Sequence, residues 1–113
     1  MITVSIRNNA NRRYLRLNVE GHAGQAEIGQ DIVCASASIL AYTVAQIVKD
    51  VEAHDSMAFV VKPKIKLDSG SATITCRCNT DVAYFEVFNA LSVARVGYLL
   101  LAHNYPQYVE LKQ

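Results

Sequence analysis

The spacing of apolar residues in this chain switches from a period of two to a period near 3.6, and then does so a second time. That alternation limits the available folds more than any other feature. Ile2, Val4 and Ile6 alternate with Thr3, Ser5 and Arg7, and the pattern resumes from Tyr14 through Leu15, Leu17 and Val19. Two strands follow from it. Asn8, Asn9, Ala10 and Asn11 lie between them, residues that tolerate left-handed backbone and bond to their own main chain, so they predict a hairpin turn. The segment GHAGQAEIG, residues 21 to 29, has three glycines and no apolar period, which predicts an irregular, mobile loop. Asp31 suits an N-cap. Val33, Ala37, Leu40, Val44, Ile47 or Val48, and Val51 then recur at helical spacing, predicting a helix of about 20 residues that ends at His54.

The second half repeats this order. Residues 57 to 64 and 71 to 78 read as two strands joined by a turn at Asp68, Ser69 and Gly70, with Pro63 at an edge or bend. Thr80 or Asp81 caps a second helix, in which Val82, Phe85, Phe88, Leu91, Arg95, Tyr98 and Leu99 keep the 3.6 period until Asn104 and Pro106 end it. Tyr108, Val109 and Leu111 suit a short closing strand. The succession predicts a two-layer α/β (α+β) fold, a mostly antiparallel sheet with two helices packed on one face. No repeat or linker divides residues 1 to 113, so one domain is expected. The stretch VGYLLLAHNY carries apolar residues on more than one helical face, which predicts a homodimer contact.

Composition narrows the function classes. The 11 Lys and Arg against 10 Asp and Glu leave a net charge of +1, too little to steer the chain as a whole toward nucleic acid or an anionic membrane. The longest uncharged apolar run, residues 96 to 102, is far shorter than the roughly 20 residues a bilayer requires. No transmembrane helix is expected. Residues 1 to 7 alternate in polarity, unlike a secretory signal, and three cysteines suit a reducing compartment better than a disulfide framework. These features together predict a cytoplasmic protein.

The candidate chemistry centres on Cys34. With Asp31 as N-cap it would be the third helical residue, where unpaired backbone N–H groups and the positive end of the helix dipole favour a thiolate. The same donors would suit an oxyanion. A small buried apolar cysteine is the competing reading. His22 opens the glycine-rich segment 12 positions earlier, so an imidazole can meet the thiol across the loop, take its proton, and return it to a leaving amine. Taken alone, the pair is a weak signal.

Gly21, His22 and Ala23, then Gly29, Asp31, Ile32, Val33, Cys34, Ala35 and Ser38, resemble in order and spacing the signature of the ribosomal-processing cysteine proteases of the Prp family. The resemblance covers about 18 residues, together with the chain length and element order. It implies a Cys34–His22 dyad, no cofactor, a compact dimer, and removal of the N-terminal extension of a large-subunit ribosomal protein. Prophage homologues imply that a different peptide is the alternative substrate.

The remaining candidates have two readings each. Asp31 either caps the helix or orients His22 as a third group. Ser38, one turn after Cys34, either binds substrate or helps the oxyanion, or only lets a strand or loop approach closely. Gly21, Gly24 and Gly29 either hinge the loop over a peptide or only make turns. Cys76 and Cys78 share one strand face but lack the further ligands of a tetrahedral metal site, so a buried face is expected and no metal. His54 and His103 close the two helices, where a cation suits the dipole. Arg7, Arg12, Arg13 and Arg16 cluster around the first hairpin and either touch RNA or form a solvated edge that discourages strand pairing; the edge is the favoured reading, and nucleic acid is not an expected partner. The rival to a peptidase is a noncatalytic module that binds ribosomal protein or RNA.

Overall fold

The computed structural model describes residues 1–21 and 28–112, with the side chains of residues 28 to 31 outside that description. Alternation in the first segment produces strands β1 (Ile2–Asn9) and β2 (Tyr14–Glu20), paired antiparallel with Val4 opposite Val19 and Ile6 opposite Leu17. A 3-10 turn at Ala10–Arg12 joins them, with the Asn9 side chain accepting from the Arg12 N–H at 3.3 Å. The left-handed residue of the turn is Arg13, at φ 51°, and none of the asparagines.

Helix α1 spans Ile28–His54, β3 Lys64–Asp68, β4 Ser71–Arg77, α2 Asp81–Asn104 and β5 Val109–Lys112. The five strands lie in the order β3-β4-β2-β1-β5. All neighbours are antiparallel except β1 and β5, which run parallel. The sheet is mixed and both helices pack on it, so the expected two-layer α+β architecture is the observed one. Leu15 and Leu17 of β2, Ile74 of β4, Val44 and Val48 of α1, and Tyr98 of α2 are buried where helices and sheet meet. The two helices approach closely at Gly97, where a Cβ would press on the Leu40 side chain.

Both helices are long and apolar enough to cross a bilayer by length and composition, a property that a count of uninterrupted apolar residues misses. Each lays its buried positions on the sheet or on its partner, and exposed Val82, Phe85, Val93, Val96 and Leu100 remain on the outside of α2.

Two expected boundaries are corrected. Of the expected strand at residues 57 to 64, only Lys64 lies in a strand, and residues 57 to 63 form none. They contribute a single bridge, Phe59 to Cys78, and the strand is Lys64–Asp68. Residues 57 to 61 are an unbroken apolar run, whereas Ile65 and Leu67 alternate with Lys64, Lys66 and Asp68, and it is the alternating segment that fits a half-buried strand. Helix α1 begins at Ile28, so Asp31 is its fourth residue and not its N-cap. An acidic residue suits the first turn of a helix as well as its cap, since both lie near the positive end of the dipole, and residue type alone therefore could not place the start. α2 begins as expected. Thr80 is its N-cap and its hydroxyl accepts from the Ala83 N–H at 3.1 Å, while Asp81 pairs with the Arg13 guanidinium at 2.8 Å.

Candidate active site

The pairing of β2 with β4 sets Glu20 opposite Ser71, which brings the chain leaving β2 beside the turn between β3 and β4. Gly21 sits there at φ 108°, and its N–H donates to the Gly70 carbonyl at 2.9 Å. A side chain at Gly21 would overlap the Met1 carbonyl oxygen, so glycine is required for the close approach as well as for the left-handed backbone.

Across a cleft from this turn lies the first half of α1. Cys34, Ser38 and Tyr42 follow one another at four-residue intervals on one helical face and line the cleft opposite Gly21, Asp68 and Gly70. Cys34 is partly buried and Ser38 and Tyr42 are exposed. Behind this face, the buried Tyr98 hydroxyl donates to the Ala37 carbonyl at 2.9 Å, tying α2 to the turn of α1 that carries Cys34 and Ser38.

The start of α1 at Ile28 changes the local electrostatics expected of Cys34. It is the seventh helical residue instead of the third, so its own N–H lies beyond the first four, which alone lack helical acceptors. The expected coincidence of thiol and helix-terminal donors at this residue therefore does not hold.

Of the predicted site residues, Cys34, Ser38 and Gly21 meet in the cleft. Gly29 is the second residue of α1 and not part of a loop. His22 and Gly24 lie outside the described residues, as does the side chain of Asp31. Tyr42 was not singled out from the sequence, although its four-residue spacing from Ser38 was a usable signal. The Asp68–Gly70 wall carried no such signal, because only the strand register brings it to residues far away in the chain.

The other two thiols contrast with Cys34. Cys76 and Cys78 face the core, 1% and 2% exposed. Burial, with Cys78 and Glu52 adding to it, pushes the Cys76 thiol up to about 12, and burial pushes Cys78 up to about 11 against the opposing pull of Arg13. Both stay protonated at neutral pH and are inert by burial. Among the described residues no three His, Cys, Asp or Glu side chains converge as metal ligands.

The sequence model of the family described as cysteine protease Prp matches residues 1–110. The chain belongs to the cysteine protease Prp family. The fold agrees with solved Prp structures along its whole length. The essential ribosomal processing protease Prp from S. aureus in complex with a substrate peptide superposes with a TM-score of 0.69 at 24% identity, covering 99% of this chain and 98% of that one. The same S. aureus protease with a covalently linked product peptide gives 0.65 at 26% identity, again covering 99% and 98%. SMU.848 from Streptococcus mutans gives 0.64 at 24% identity, covering 99% and 92%. No match to the chain is found among curated proteins.

Proposed function

We propose that this Prp-family chain is an endopeptidase in which Cys34 is the nucleophile and His22 its base. The Cys34 thiolate attacks the scissile carbonyl, His22 returns the proton to the leaving amine, and water then hydrolyses the thioester, releasing the acyl fragment and regenerating the thiol. The observation that carries this reading is the cleft itself. Cys34 is the only one of the three thiols that lines it, and Gly21, the residue immediately before His22 in the chain, lines the opposite wall. Support for an acyl-enzyme comes from the related S. aureus protease, which is seen with a covalently linked product peptide.

In this reading Ser38 and Tyr42 contact the bound peptide along the α1 face, and Asp31 orients His22. Gly21 and Gly24 hinge the His22 segment during peptide binding, while Gly29 belongs to α1. The substrate is the N-terminal extension of a large-subunit ribosomal protein, by kinship with the ribosomal processing protease of S. aureus. The exposed apolar side of α2 receives a second copy of the chain in a cytoplasmic homodimer, since hydrophobic residues of this number on one helix favour a covered surface. No cofactor takes part.

The test is to incubate the protein and its Cys34→Ala variant with a ribosomal protein bearing its extension and to look for a truncated product by mass spectrometry. The proposal expects truncation by the unaltered protein alone. Equal behaviour of the two proteins overturns it.

A further inference from the structure

The face of the sheet turned away from the helices is polar, and strand register sets its carboxylates at one end and most of its cations at the other, with Lys66 and Lys112 in the row between. One row across the strands carries Asp68, Ser71, Glu20, Thr3 and Glu110. Four residues further along, about 13 Å at a strand's rise per residue, another row carries Lys64, Thr75, Arg16 and Arg7. The next row adds Arg77 and Tyr14, and exposed Arg12, Lys62 and Val61 border the same groove. Net charge conceals this arrangement because the carboxylates of the far end, with acidic residues elsewhere in the chain, offset the basic end.

The basic end is not neutralised from within. Arg13 pairs with Asp81 and Lys66 with Asp68, but Arg7, Arg16, Lys64 and Arg77 have no ion-pair partner among the described residues. Arg7 and Arg16 stand directly opposite each other on neighbouring strands, an arrangement that destabilises a sheet unless an anion lies across it. We infer that this end of the open face binds single-stranded RNA. Lys64, Arg16 and Arg7 span three strand spacings, about 14 Å, enough to follow several successive phosphates. Half-buried Tyr14, beside Arg77 and exposed Val61, offers a ring on which a base can stack, the combination used by sequence-tolerant single-strand binders. Ser, Thr and Asn side chains elsewhere on the face suit ribose hydroxyls. The surface deepens the ribosomal reading above, since a ribosomal substrate is presented among RNA, and it lies on the side of the sheet opposite Cys34.

The test uses fluorescence anisotropy of a short labelled single-stranded RNA of mixed sequence, with the full chain. The double substitution Arg7→Gln with Arg16→Gln is expected to weaken binding at least about tenfold and to lower the slope of log affinity against log salt by about 1.4. It removes a repulsion and leaves peptide cleavage unchanged. Lys64→Gln with Arg77→Gln, both exposed, gives an independent second variant with the same expectation, and Tyr14→Ala costs at least about fivefold. Absence of RNA binding by the unaltered protein, full affinity in both double variants, or binding to phosphatidylglycerol vesicles in place of RNA overturns the inference. Cys34→Ala separates the two proposals. It stops cleavage and keeps RNA affinity, so failure of RNA binding with cleavage intact refutes this inference alone, and failure of cleavage with RNA binding intact refutes the protease reading alone.

Discussion

Cys34 and the Cys76–Cys78 pair are the same chemical group in two environments less than a domain's width apart. Cys76 on β4 and Cys78 just beyond its end face the core, at 1% and 2% exposure, with both thiols held protonated by burial. Cys34 lies on α1, partly open to a cleft shared with Gly21, Ser38 and Tyr42. On the proposed reading, access to the cleft, and not the presence of sulfur, separates a nucleophile from a core residue. The same division runs through the sheet, whose helix side supplies packing while its edges and turns supply the cleft.

Replacing the two kinds of cysteine in turn should break the comparison most sharply. Cys34→Ala is expected to lower peptide cleavage by about a thousandfold or more while costing less than about 1 kcal/mol of stability, since Cys34 is only partly buried at the edge of the core. Cys76→Ala should do the reverse, costing about 1–2 kcal/mol through the cavity it leaves with kcat/KM retained. Peptidase assays beside urea denaturation would show the crossing of effects.

The cleft wall opposite Cys34 gives the next largest effect. Gly21→Ala forces a side chain into left-handed backbone and against the Met1 carbonyl, and about 2–3 kcal/mol of stability should be lost. Cleavage should fall with it on the proposed reading, in which His22, the next residue in the chain, is the base. A variant of wild-type stability would show that the wall adjusts freely.

Alkaline pH probes the other side of the comparison. A thiol whose folded value is raised binds its proton more tightly in the native state than in the unfolded one, so its contribution is complete below the unfolded value of about 9 and is lost as pH rises through the folded value. The urea midpoint should be flat with respect to Cys76 and Cys78 up to about pH 9, and fall as pH approaches 11 and 12. Cys76→Ala should flatten that decline. The smallest effect is expected from Tyr98→Phe, which removes the hydrogen bond to Ala37 and should cost about 1 kcal/mol with a modest drop in kcat/KM.

The parts legible in the sequence were those governed by local periodicity. Ile2 to Ile6, Leu15 to Val19 and Ala72 to Cys76 alternate because one sheet face is buried and the other open, and Thr80 announces α2 because its hydroxyl satisfies a helix-end N–H. Where one residue type serves two roles the reading failed. Asp31 suits a first turn as well as a cap, and the apolar residues 57 to 61 imitate a strand without alternating. Cys34 and Ser38 were legible as neighbours on one helical face. The wall formed by Asp68 and Gly70, the parallel pairing of β1 with β5, and the extension of the Arg7–Arg16 pair to Lys64 depend on register between distant strands, which no local pattern encodes.

The central claim is that Cys34 alone among the thiols is placed for catalysis. Limiting iodoacetamide at neutral pH, followed by peptide mapping and a parallel peptidase assay, tests it most directly. The account predicts one carbamidomethyl group, on Cys34, with activity falling in step with its formation. Comparable labelling of Cys34, Cys76 and Cys78, or activity that survives full modification of Cys34, would contradict it.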